Sequence, residues 1–256
     1  MIVSRMNAVI SSLLERKSVR SFEPHPIPED LRDLITDAAL QAPTAGNQTL
    51  YTILDIRDQT IKDRLAVLCD NQPFIATAPM VHIFLADCRR WLSIYQAAEI
   101  APRDPEAGDL MIALADGLIA AQNSVTAAWS LGIGSCYIGD ILEQREEVRE
   151  LLNLERFLVP AAMVVYGYPT EQQMKRSKPQ RFSRDLVVQQ DRYADPDPAR
   201  LREEFSRING VRSGDESSFS DRVRAFHARK YNSDFAREMN RSADGYLKEF
   251  LRAPKR

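Results

Sequence analysis

Apolar residues repeat at helical spacing in some stretches of this chain and run almost unbroken in others. Val9, Ile10, Leu13 and Leu14 predict a helix over residues 7–16. Pro24, Pro26 and Pro28 forbid its continuation and predict an extended connector. Pro28-Glu29-Asp30 suits a helical first turn, and the helix it opens is expected to reach Leu40, burying Leu31, Leu34, Ile35 and Ala38. Residues 42–48 read as a loop, 51–56 as a strand and 59–69 as a short helix. The apolar run 80–86 predicts a strand buried on both faces. A helix over 89–98 and a proline-bearing loop over 101–108 follow. Residues 109–131 carry small and apolar side chains all round, as in a central buried helix, and Gly132 is a natural stop. A short strand over 135–138, a charged amphipathic helix over 142–152 and a second buried strand over 158–168 complete the pattern.

Helices and isolated strands thus alternate over a core of roughly 180 residues, either α/β or α+β. No internal repeat is present, and Asp195-Pro196-Asp197-Pro198 reads as a linker. The tail beyond Tyr193 reads as helical and polar. A segment of roughly 60 residues with few aliphatics buries little core, so the tail is expected to wrap the rest.

The 256 residues are 44% hydrophobic and 27% charged, with a formal net charge of −2. That balance gives no global attraction to nucleic acid or an anionic membrane surface. By pattern, no apolar run approaches the roughly 20 residues of a membrane span, so no membrane partner is expected. The N-terminal stretch lacks the pattern of a secretory signal. Cys69, Cys88 and Cys136 form no CxxC pair or zinc spacing, which fits reduced thiols and a cytoplasmic location. From residue 195 onward there are 14 Lys/Arg against 11 Asp/Glu, so the tail is basic while the rest is acidic.

Three histidines, His25, His82 and His227, stand at no metal-ligand spacing, and no metal site is expected. Neither a G-x-S-x-G elbow nor a Walker A loop occurs. Gly132 and Gly134 begin a dinucleotide fingerprint, but Tyr137 stands at the third glycine and the motif follows a helix. Redox chemistry would therefore need a cofactor. Four segments carry candidate chemistry. Arg16-Lys17-Ser18-Val19-Arg20 sets three cations and a hydroxyl in five residues, suited to a phosphate. Arg16 and Arg20 converge if helical geometry persists. Pro43-Thr44-Ala45-Gly46-Asn47-Gln48 combines small residues with amide donors, so its backbone can approach a flat ligand. Glycines flank Ser135-Cys136-Tyr137-Ile138, ending at Gly139-Asp140, and Lys178-Pro179-Gln180-Arg181 supplies a late cation pair.

These segments, in this order, resemble the nitroreductase family of FMN-dependent oxidoreductases. Residues 16–22 resemble its R-R-S-x-R-x-F signature and residues 43–47 its P-S-A-G-N loop. Residues 72–79 look like the stretch before its second strand, and the resemblance spans residues 7 to 185 or so. It implies an α+β three-layer sandwich with a central mixed sheet between helices, built as an intertwined homodimer with FMN at the interface. Residues 1–193 would form the FMN-binding core and 194–256 a helical basic extension wrapping the core or the partner subunit. Arg16, Ser18 and Arg20, with Lys178 or Arg181, would hold the flavin phosphate. Lys17 would approach the ring. Pro43, Thr44, Ala45, Gly46, Asn47 and Gln48 would line it, with Tyr137, Ile138 and Gly139 on the facing strand. Backbone amides of Gly139 and Asp140 would sit near the reactive flavin nitrogen N5, and no side chain is assigned a catalytic role. Trp91 and Tyr95, with Glu99 and Arg103, belong to an expected lid. Thr49, Leu50 and Tyr51 stand where the family has Gln, Pro and Trp.

The implied activity is ping-pong hydride transfer from NADPH or NADH to a small electron-poor acceptor: a nitro compound, a quinone or a flavin. The tail arginines would favour the extra phosphate of NADPH. A flavin-holding sensor or FMN reservoir, and a reductive dehalogenase or flavin-fragmenting enzyme on the same fold, are the alternatives.

Overall fold

The structure is a computed structural model describing residues 6–212 and 215–251. It divides into two compact units. One runs through Lys175 and resumes at Glu238; the other is Arg176–Arg237. The sequence-based division fell at 193/194, whereas the compact units change at 175/176 and again at 237/238.

The first unit is built on four strands: β1 (Tyr51–Asp55), β2 (Met80–Asp87), β3 (Gly134–Ile138) and β4 (Leu158–Gly167), in the order β1-β2-β4-β3. All three strand pairings are antiparallel. Among the described residues the α-helices are, in chain order, α1 (Ala8–Glu15), α2 (Glu29–Leu40), α3 (Gln59–Leu68), α4 (Pro73–Thr77), α5 (Arg90–Ala97), α6 (Ala107–Ser130), α7 (Arg145–Leu151), α8 (Glu171–Lys175), α9 (Arg184–Val187), α10 (Pro198–Asn209), α11 (Glu216–Lys230) and α12 (Asp234–Leu247). The mixed character expected of the sheet is confined, among the described residues, to one parallel bridge between Ser18 and Ser135. Every residue of β2 is buried, as its nearly continuous apolar run predicts. Val81, Ile83 and Leu85 face one layer, with Leu65 and Leu68 of α3 (Gln59–Leu68) and Val148 of α7 (Arg145–Leu151). Met80 and Phe84 face the other, with Ile35 and Ala39 of α2 (Glu29–Leu40) and Ala120, Ala121 and Val125 of α6 (Ala107–Ser130). The alternation with period two therefore builds the three layers. The register between β2 and β4 slips at Phe84/Leu85, where Leu85 faces Pro160. Proline has no N–H for the ladder, so a bulge falls there.

Several burial expectations change. α6 has the length and composition of a membrane-spanning helix, contrary to the reading that no stretch approaches one. It is a core helix on one side: Leu110, Ala113, Ala120, Val125 and Ala128 are buried against the sheet. Its other side leaves Met111, Ile112, Leu118 and Ile119 between 41% and 72% exposed. Beside it lies α1 (Ala8–Glu15), none of whose residues is buried. In α2, Leu34 is exposed and Arg32 is buried instead. The Arg32 guanidinium donates to Asp55 at 2.6 Å and to the Pro79 carbonyl at 3.2 Å. Burial works against ionisation of Asp55, but hydrogen bonds from His82, Arg57 and Arg32 outweigh it and hold its carboxyl well below the usual range.

The chain from Glu238 returns to the first unit. Tyr246 and Phe250 pack with Phe157, Val159 and Leu110. Glu249 receives the guanidinium groups of Arg145 and Arg149 and the Phe157 N–H. Glu238 and Ser242 accept the N–H groups of Gln144 and Arg145, so α12 (Asp234–Leu247) caps the start of α7. In the second unit α10 (Pro198–Asn209) and α11 (Glu216–Lys230) meet through aromatic rings. Phe205 stands edge-on to Phe219 and Phe226, with centroids 5.6 and 6.4 Å away. The tail holds few aliphatics, and rings supply this core instead.

One feature of the sheet fixes the segment after α1. Gly134 and Gly167 face each other across β3 and β4. A Cβ on Gly134 would stand 2.6 Å from Val19, and one on Gly167 2.7 Å from Phe22. Gly134→Ala and Gly167→Ala are therefore expected to destabilise the fold by about 1–3 kcal/mol each, as overpacking does. Chemical denaturation measures this, and unchanged stability of both variants would show that Val19 and Phe22 are not seated there.

Candidate functional site

The segment carrying Arg16, Ser18 and Arg20 is extended, not helical. Its helix ends at Glu15, and Arg16 takes φ −51°, ψ 133°. Ser18 then bridges Ser135, and the Val19 N–H donates to the Ser135 carbonyl at 2.9 Å. Arg16 and Arg20 therefore share a side by the two-residue period of a strand, not by the four-residue period of a helix. Both cations and the Ser18 hydroxyl bear on Cys136, acting against the rise in its thiol pKa that burial causes. Arg16 likewise acts on Tyr137, whose hydroxyl burial pushes up to about 12. One guanidinium nitrogen of Arg16, Nη1, is buried without a hydrogen-bond partner. A buried unsatisfied cationic donor is costly, and an anionic oxygen would satisfy it. Lys17 points elsewhere: its Nζ donates to the Met174 carbonyl at 2.6 Å.

The loop 43–50 is tied down from both sides. Asp116, buried in the apolar helix α6, accepts the N–H of Ala45 at 3.0 Å and of Leu50 at 3.3 Å. Arg90 donates to the Thr49 and Tyr51 carbonyls, and the Trp91 indole to the Gln48 carbonyl at 2.9 Å. Gly46, Asn47 and Thr49 take positive φ, so the loop holds left-handed conformations that such anchoring supports. Beside it a cavity of about 360 Å³ is lined by Gln48, Leu50, Cys88, Trp91, Tyr95 and Pro102, among others. The Trp91 and Tyr95 rings lie 5.8 Å apart. Arg103, also on this cavity, forms an ion pair with Asp109 at 2.6 Å.

Past β3 the chain turns through a 3-10 segment, Gly139–Leu142. Asp140 accepts from Gln72 Nε2 at 2.7 Å, and the Glu143 N–H returns to the Asp140 carbonyl at 3.0 Å. Gly139 is exposed, and a Cβ there would meet nothing within 4 Å.

The sequence model of the nitroreductase family matches residues 13–168. The chain belongs to the nitroreductase family. Among its relatives, an FMN reductase [NAD(P)H] of Bacillus subtilis is 30% identical over 203 residues, 75% of this chain and 77% of that protein. An oxygen-insensitive NADPH nitroreductase of Salmonella typhimurium is 30% identical over 224 residues, 86% of this chain and 90% of that protein. The fold is shared with the NADPH:FMN oxidoreductase of Vibrio harveyi, solved with NAD+. That likeness has a TM-score of 0.74 at 24% identity, covering 91% of this chain and 98% of that one.

Of the residues singled out from the family's motifs, the structure brings Arg16, Ser18 and Arg20 together beside β3. Gln48, Trp91, Tyr95 and Arg103 meet around one cavity. Lys178 and Arg181 fall in the second compact unit. The tail arginines suggested for NADPH are largely engaged within the protein: Arg200 pairs with Asp185, Arg202 with Glu216, Arg207 with Glu204 and Arg241 with Glu146. Sequence reasoning missed Asp116, Gln72 and Glu143. An acid inside an otherwise apolar helix is the one signal that could have pointed to Asp116.

Asp116→Ala removes the acceptor for two loop amides and is expected to cost about 2–3 kcal/mol. Hydrogen exchange reads this locally. The Ala45 and Leu50 amides should exchange faster, while the Val19 amide bound to Ser135 keeps its protection. Unchanged exchange at Ala45 and Leu50 would refute the anchoring.

Proposed function

We propose that the protein is an FMN-dependent NAD(P)H oxidoreductase that reduces small electron-poor acceptors such as nitro compounds, quinones or free flavins. The observation that carries this reading is the extended basic segment with its unpartnered buried Arg16 Nη1. The names of the relatives agree, since they describe FMN reductases and an NADPH nitroreductase.

When bound, FMN supplies the centre that accepts and returns hydride. Arg16, Ser18 and Arg20 would hold its phosphate through charge-assisted hydrogen bonds. The Gly139 and Asp140 amides would lie along the reactive edge of the ring, donating to charge that develops there. The 43–48 loop would approach the flat ring with its backbone, where small residues permit close contact. The cavity beside Gln48, with its Trp91 and Tyr95 walls, suits a flat apolar acceptor. Aromatic walls exclude water and orient such a molecule, and orientation is the main task left to the protein. No side-chain acid or base is needed at the reacting atoms.

The exposed apolar sides of α1 and α6 support a homodimer, because a monomer rarely leaves such a surface to water. Three buried, unpaired cysteines are compatible with a reducing cytoplasmic setting.

A visible absorption spectrum of the purified protein after incubation with FMN, followed by anaerobic NADPH or NADH, tests this reading. A bound flavin that bleaches is the expected result; a flavin that stays oxidised would favour the reservoir or sensor. Arg16→Ala should weaken FMN binding about 10- to 100-fold, the loss of a charged hydrogen bond worth about 1.5–3 kcal/mol. Unaltered affinity would remove Arg16 from the phosphate site.

A further inference from the structure

One ion pair stands on the cavity beside the 43–50 loop. The walls there are mostly apolar: Leu50, Trp91, Leu92, Tyr95, Ile100 and Pro102. A cavity of roughly 150 Å³ suffices for benzene, so one of about 360 Å³ takes a molecule of one or two aromatic rings. The segment from Ile100 to Asp109 forms one side of it and carries Asp104, Glu106 and Asp109 against a single cation, Arg103. Among the described residues lining the cavity, Arg103 is the one cation and Asp109 the one acid. Arg103 grips Asp109 with both arms of its fork, Nη1 at 2.6 Å from Oδ2 and Nη2 at 2.9 Å from Oδ1. Asp109 is held a second time, since its Oδ2 accepts the Glu106 N–H at 2.8 Å.

That geometry occupies the cation. A bidentate guanidinium–carboxylate pair satisfies both partners and carries no net charge. The carboxylate is still felt inside the cavity: burial first, then the charges of Asp109 and Asp87, push the Cys88 thiol up to about 12. An anionic ligand would lose water among apolar walls, meet a carboxylate and find the arginine already engaged. An uncharged ring loses little by the same move and gains contact with the Trp91 and Tyr95 rings. Discrimination of this kind penalises the wrong ligand as well as attracting the right one.

We propose that the Arg103–Asp109 pair is a specificity determinant that restricts the cavity to uncharged, flat aromatic acceptors and turns away their carboxylated counterparts. This rests on the reading that the protein is an oxidoreductase whose acceptor enters this cavity, and it narrows that reading to neutral nitroarenes and quinones. Asp109 has the deciding part, because it holds Arg103 away from an incoming anion. Asp109→Asn keeps an oxygen to accept the Glu106 N–H but gives up the charge, so the guanidinium is freed to bind a carboxylate. Arg103→Gln does the opposite. It leaves the Asp109 carboxylate uncompensated beside the cavity and deepens the repulsion. A merely structural pair would move affinity for charged and uncharged ligands together. A charge filter moves them apart, in opposite senses for its two halves.

The test uses para-nitrobenzamide and para-nitrobenzoate, which share a size and a nitro group and differ in charge. Both quench tryptophan fluorescence, and without NAD(P)H neither is consumed. The chain has 2 tryptophans, Trp91 on the cavity and Trp129 near the end of α6, so Trp91→Phe isolates the cavity's share of the quenching. In protein incubated with FMN, the amide should bind about tenfold more tightly than the benzoate at low salt. Asp109→Asn should shift the ratio of the two affinities toward the benzoate by about three- to tenfold, and Arg103→Gln should shift it away. Adding Arg103→Gln to Asp109→Asn should cancel the gain. The unaltered protein and Arg103→Gln keep the proposal falsifiable even where Asp109→Asn disturbs the start of α6. Equal affinities in the unaltered protein, or a ratio that neither substitution moves, would overturn the proposal. So would quenching undiminished by Trp91→Phe, since the ligand would then sit elsewhere. The oxidoreductase reading has its own readout, the bleaching of bound flavin by NADPH or NADH. A flavin that bleaches in a protein with equal affinities leaves that reading standing and the proposal overturned. Selection by charge in a protein whose flavin never bleaches overturns the reading, and with it the acceptor role proposed for the cavity.

Discussion

The facing glycines Gly134, which begins β3, and Gly167, which ends β4, set the position of the basic segment. Gly134 and Gly167 leave a trough one side chain deep, and Val19 and Phe22 occupy it. That docking converts a run of cations, which by composition could cap any helix, into an ordered edge. With Val19 turned inward, its neighbours Ser18 and Arg20 turn outward. Backbone pairing to Ser135 then fixes how far along the sheet they stand. The Gly139 turn is the far end of the same strand β3, so one short strand carries the basic segment at its start and that turn at its finish.

Polar groups inside apolar elements hold the other parts. α6 is apolar enough to pass for a membrane span, yet its Asp116 sits buried on the sheet side. Two loop amides satisfy that carboxylate, and the carboxylate in turn fixes the loop. At the opposite end of the chain, Glu249 plays a similar part between Arg145 and Arg149. A half-satisfied arrangement of either kind would be costly. Each therefore fixes a single geometry more firmly than apolar contacts alone, because apolar contacts can slide.

The sequence makes the buried strands legible because burial on both faces leaves apolar runs, as in Ile83–Ala86 and Met163–Tyr166. It makes the family legible through short motifs whose order is improbable by chance. It does not reveal geometry that tertiary packing decides. Arg16 and Arg20 look like helical neighbours until the chain is seen to pair with Ser135. Leu34 fits the helical stripe of α2, but Arg32 takes the inner position because Asp55 and the Pro79 carbonyl await it. Asp116 and Gln72 lie far in sequence from the groups they serve. A count of aliphatics understates the tail, because the rings of Phe205, Phe219 and Phe226 pack on one another there.

On the proposed reading the hydride chemistry belongs to the cofactor, which changes what substitutions in the protein can do. If hydride chemistry resides in the cofactor, the protein's influence is exerted through placement and through the charge around the ring. Residues that fix backbone then matter as much as residues that touch the ligand. Gly134 matters because it lacks a side chain, and Asp116 because it binds amides in a loop it does not belong to.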